Sequence, residues 1–274
     1  MTSRRVLGIT VPDSRLRQWR DWLMPAEQPF LVPPALAERL DLPDDPDRLT
    51  FEVKDSFWLY DLAGSALCWL TRAGSARLPA EVRRDQPAPH RWPSADVERD
   101  LDRVVRFVET GRHTSRHREV TARTWDRLHA VLPSARELAG TFPDASGPNC
   151  FGTVMAAAGV LGAASTWMQR EPFESWLAES TVAGGPDTDP GTVLVWRDRE
   201  GQVQHAAVTL GAGWALHKPS QGWMSPTKVL AVREVIFSAR RPGHHLERRR
   251  IITQSNQASA SRSKDRSRIA GSWQ

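Results

Sequence analysis

Apolar and polar positions recur along this chain with two periods, and each period predicts a kind of element. Leu16, Trp19, Trp22 and Leu23 fall at helical spacing behind Asp13 and Ser14, and Pro25 closes the run. A short helix is expected over 35–40. Strand-like runs follow in LTFEVK, SFWLYDL and ALCWLTR, with AGSA at 63–66 turning the chain before the last of them. Val97, Leu101, Val104, Val105 and Val108 share one helical face, with Ser94 as the expected cap and Gly111 past the end. Trp125, Leu128 and Leu132 mark a helix over 121–132 that Pro133 stops, and SARE at 134–137 has the form of a capping box.

The second half changes rhythm. After the loop TFPDASGPN comes FGTVMAAAGVLGAASTW, rich in Ala and Gly, which suggests a helix packed closely on all sides. PFESWLAES reads as another helix. TVLVWR, QVQHAAVTL and WALHK then alternate as strands, with DREG and GAG as turns. KVLAVREVIFSARR adds one or two further strands in this reading. Helices first and an antiparallel meander afterwards define an α+β fold. The expected division is an N-terminal α+β region of unknown role over 1–132, a second domain over 133–241, and a basic, disordered tail over 242–274.

Composition narrows the class. The chain has 274 residues, 40% of them apolar, and no run long enough for a membrane span. Its start is basic but lacks the apolar segment of a secretory signal, so a cytoplasmic location is expected, with Cys68 and Cys150 as free thiols. Cys68, inside a strand-like run, reads as a small buried apolar residue. The net charge is +5, and the +7 from Arg240 onward leaves −2 for the rest. Nucleic-acid binding is therefore not expected of the body and would fall to the tail alone. His113 and His117 have the spacing of a helical metal pair but no third ligand nearby, so no metal is expected there.

The chemistry-bearing residues are Cys150, at a loop-to-helix junction, and His205 and His217, twelve residues apart on adjacent strands of a hairpin. A free thiol is mostly protonated at neutral pH. A helix N-terminus favours its thiolate, and a neighbouring histidine can take the proton while a second polar group holds that ring. Strand alternation groups Val203, His205, Ala207 and Thr209 on one side. Of Trp196, Trp214 and Trp223 in the meander, one could line a cleft near His205.

These segments resemble the NlpC/P60 cysteine peptidases of the papain-like superfamily, over about residues 145–240. The family's D-C-S-G pattern corresponds to NCFGTV, its G-D-L-V-F-F strand to GTVLVW, and its H-V-G-I-Y-L-G-x-G-x-h-I-H-A segment to HAAVTLGAGWALHK. The resemblance implies a papain-like core with the cysteine helix packed on an antiparallel sheet. It implies Cys150 as nucleophile, His205 as general base and His217 as the group that orients it. No cofactor or metal is implied. The implied activity is hydrolysis of a peptide-like amide or an ester through a thioacyl-enzyme. Acyl transfer from the same intermediate, or a catalytically inactive binding protein on the same fold, are the alternatives. Asn149 stands where the family has Asp, Phe151 where it has Ser, and Lys218 where a small residue is common. These departures are expected to bear on substrate choice.

Overall fold

The computed structural model describes residues 2–252. The chain divides into two compact units. The first takes the sequence up to Thr114 together with Asp144–Gly147 and Gly222–Met224. The second takes Ser115–Pro143, Pro148–Gln221 and, among the described residues, 225–252. The fold is α+β, and its strand pairs are antiparallel.

The first unit opens with a hairpin of β1 (Ser3–Val6) and β2 (Ile9–Pro12). Its turn residues Leu7 and Gly8 both have positive φ, 49° and 79°, as a two-residue turn matched to strand twist requires. The helix α1 (Asp13–Leu23) buries Leu16, Trp19 and Leu23, the spacing read from the sequence. The strand β3 (Gln28–Val32) and the helix α2 (Pro34–Arg39) come next. LTFEVK is not a strand. The Thr50 hydroxyl accepts the Val53 N–H and starts α3 (Phe51–Phe57), which buries Val53 and Phe57 one turn apart. Trp58, at φ 56°, ends it and leaves SFWLYDL without a strand. The strand β4 (Ala66–Leu70) pairs with β3 and places Cys68 opposite Phe30, fully buried. Short helices α4 (Arg72–Ser75) and α5 (Ala80–Arg84) lead to α6 (Val97–Glu109). Asp96 rather than Ser94 caps α6. Ser94 is held instead by the buried carboxylate of Asp100, which Arg20 and Arg103 also reach. Trp223 completes this core, its ring centroid 5.5 Å from Trp19, 5.7 Å from Trp22 and 6.1 Å from Phe107.

The second unit begins with α7 (Ala122–Leu128), capped by Thr121 and shorter than the 121–132 helix expected. Its Trp125 and Leu128, with Leu132, lie in the same core as Cys150, so the boundary expected at 132 moves to 114. Ser134 makes no cap bond at the start of α8 (Ala135–Leu138). The cysteine helix α9 (Cys150–Ala157) and α10 (Arg170–Ser180) follow. The remaining elements are β5 (Thr181–Ala183), β6 (Pro190–Arg197), β7 (Val203–Gly211), β8 (Trp214–His217), β9 (Lys228–Ala231), α11 (Val232–Ser238) and β10 (His245–Ile251). Among the described residues the strands form one sheet in the order β5-β10-β6-β7-β8-β9. KVLAVREVIFSARR therefore divides into a strand and a helix. Glu234 accepts the Ala231 N–H at the junction, and Val232 and Val235 turn inward at helical spacing. Part of the expected tail is β10, paired between β5 and β6. The rest of it, from 253 on, lies outside the described residues.

The sheet has two buried faces. Val193, Val195, Ala206, Val208 and Leu216 pack with α9. Leu194, Trp196, Ala207, Ala215 and Leu230 pack with Val232 and Val235 of α11.

Candidate functional site

The start of α9 accounts for its own free backbone donors. Asn149 is the cap: its side-chain oxygen accepts the Gly152 N–H at 3.1 Å, and its amide donates to the Met168 carbonyl at 2.7 Å. The Thr153 N–H bonds the Asn149 carbonyl in the first helical turn. That leaves the N–H groups of Cys150 and Phe151, and both act to lower the pKa of the Cys150 thiol. The Ala206 N–H of β7 does the same. The β7–β8 ladder stops at Val208 and Leu216, short of Ala206. Phe151 stacks on Phe173 at 4.6 Å and 14° within the core.

Burial is the largest influence on this thiol. Cys150 is 8% exposed, and loss of water pushes its pKa up to about 11 against the three N–H groups and the charge of Lys218, which act to lower it. At neutral pH it is a thiol. Lys218 is fully buried, with its ammonium donating to the Ser225 carbonyl. Alternation along the strand explains its place. Leu216 faces α9, His217 faces away, and Lys218 comes back toward the sulfur. Sequence reading had noted Lys218 only as a departure from a family pattern.

His205 and His217 are brought together. Their Nε2 atoms are 2.9 Å apart and the rings meet edge to face. One ring donates and the other accepts, so each neutral ring holds a different tautomer. His205 is paired across the sheet with Trp196 and tilts against it at 5.3 Å. Burial first, and the charge of Arg241 second, lower the His205 pKa to about 4.

Cys150 starts the helix that packs beside β7, and the N–H of Ala206, next in the chain to His205, acts on its thiol. Trp196 and Ala207 belong to the α11 face, and His205 pairs with Trp196. The pattern Val203, His205, Ala207 fails, for a local reason. Arg197 pairs with Val203 and Trp196 with His205, so Gln204 is an extra residue in a bulge. Val203 then joins the α9 face while His205 and Ala207 take the other.

His117 bonds Ser115 at 3.1 Å, and among the described residues no group of three His, Cys, Asp or Glu could hold a metal ion. No described helix is long and apolar enough to cross a membrane. Compared with protein-family models, curated proteins and solved structures, the chain finds no match.

Proposed function

We propose that this chain is an NlpC/P60-like protein that works by binding, with Cys150 a packing residue at the start of a buried helix. The observation that carries this reading is the burial of the thiol, which is 8% exposed at the start of a helix whose residues are all buried. The proton balance agrees with it. A general base should have a pKa near the working pH, and a nucleophilic thiol a lowered one. Here the thiol is raised to about 11 and His205 lowered to about 4.

A second reading rests on a different observation. Three N–H groups and one buried ammonium all act to lower the pKa of this thiol, as around a stabilised thiolate. In that reading Cys150 is the nucleophile of a hydrolase or acyltransferase acting on a peptide-like amide or an ester. Lys218 then supplies charge beside its thiolate, with His205 as general base and His217 as the group that orients it.

Alkylation by iodoacetamide, followed residue by residue with mass spectrometry from pH 6 to 11, separates the two. The binding reading expects Cys150 to react as slowly as Cys68 at pH 7.5 and to accelerate only toward pH 11. Rapid labelling of Cys150 with a midpoint below 8.5, abolished in Lys218→Met, would overturn it in favour of the hydrolase.

A further inference from the structure

The α11 face of the sheet carries a cleft of about 490 Å³ that plays no part in the surroundings of Cys150. Trp196 is its floor, and Ile236, Phe237 and Leu246 form its apolar walls. Phe237 is 77% exposed although it lies on a helix that buries Val232 and Val235 beside it. A volume of this size suits a small ligand or a single anchoring side chain.

The rim is basic. Arg233, Arg240 and His244 line the cleft, and Arg241 lies close enough to act on His205 behind Trp196. Arg199 lies across Gly243, which at φ 79° has no side chain to exclude it. Among the described residues none of Arg233, Arg240 and Arg241 meets a carboxylate; Arg241 turns to the carbonyls of Ser238 and Arg240. The neighbouring strands treat their arginines differently. Arg197 is held by Glu174 and Glu247, Arg249 by Glu247, and Arg248 by Asp187. The acids of α11 and β10 are thereby used: Glu247 by two arginines, and Glu234 by the Ala231 N–H and by Arg116 at 3.7 Å. Positive charge around an apolar pocket is left uncompensated.

We infer that this cleft binds a carboxylate carried on an aromatic or apolar body, the body seated between Trp196 and Phe237 and the carboxylate met by Arg233 and Arg240. Guanidinium groups suit the acid because their planar fork matches a carboxylate. Aromatic rings suit the body through stacking and loss of water. A free aromatic acid and the C-terminal residue of a peptide share this chemistry. The inference rests on the binding reading above and gives it a ligand class.

The test is calorimetric titration of the full chain with 1-naphthoate, with its neutral counterpart 1-naphthalenemethanol, and with acetyl-Gly-Gly-Phe as acid and as C-terminal amide. The acid of at least one pair should bind saturably and at least about tenfold more tightly than its neutral partner, with affinity falling as salt rises. The better of naphthoate and the peptide acid identifies the source. Arg233→Gln/Arg240→Gln should remove the preference for the acid, and Phe237→Ser should weaken both members of a pair. These side chains line the rim, and an unchanged circular dichroism spectrum certifies the fold. Equal binding of acid and neutral partners, no saturable binding, or unchanged affinity in the double variant would each overturn the inference. The Cys150 labelling rate, measured on the same samples, reports on the binding reading independently.

Discussion

Asn149 serves the start of α9 with both ends of its amide, as acceptor for Gly152 and donor to Met168. That gives a residue which sequence reading had assigned to specificity a structural task. Asn149→Ala should destabilise the second unit by about 1 kcal/mol or somewhat more. Asn149→Asp keeps the acceptor, and its negative charge at a helix start offsets the oxygen it sets against the Met168 carbonyl, so it should cost less. Urea unfolding of both variants checks the order, and equal losses would contradict it. Phe151 is likewise a core residue, stacked on Phe173. His205 ties stability to pH. Its folded pKa of about 4 lies below the ordinary 6.5, so the unfolded chain takes up the proton first. Stability is full above 6.5, falls as pH drops toward 4, and levels off below. The loss attributable to this group is at most about 3 kcal/mol. His205→Gln should flatten the pH 7.5-to-5 dependence of the unfolding midpoint; an unchanged slope would refute the assignment.

Among the elements, α9 shows why small residues were the informative signal. Its eight residues are all buried. A Cβ added at Gly152 would lie 2.4 Å from the Ala163 carbonyl oxygen and 3.1 Å from that of Thr166. Gly152→Ala raises helix propensity by about 1 kcal/mol, but backbone atoms cannot swing aside, and overpacking costs about 1–3 kcal/mol. The prediction is net destabilisation, seen as a lower thermal midpoint. Elements with regular periodicity, such as α1, α6 and β7, were legible from sequence. The segments that became α3 and α11 were not, because seven residues span too few turns to display a helical period. What decided them was a cap, Thr50 in one case and Glu234 in the other. The hairpin that joins His205 to His217 was also legible. The face they occupy was not, because one bulged residue, Gln204, decides it, and composition gives no sign of a bulge.

In the whole molecule, sequence order and spatial unit part company. The stretch Gly222–Met224 falls in sequence between β8 and β9 of the second unit's sheet yet belongs to the first unit. Trp223 is fully buried there, and its indole N–H donates to the Ser56 hydroxyl at 3.1 Å. Trp223→Ala should destabilise the first unit by about 3–5 kcal/mol. A fragment ending at Thr114 should show the same defect, measured as lost denaturant resistance, because it lacks this side chain. A linear reading places boundaries where composition shifts, so it could not see a core completed from a hundred residues downstream. The same feature constrains inheritance. A recombination event anywhere between 115 and 221 would give a chimera whose Trp223 comes from one parent and whose Trp19, Trp22 and Phe107 come from the other. These two units cannot be shuffled as cassettes; their lineages have to change in step.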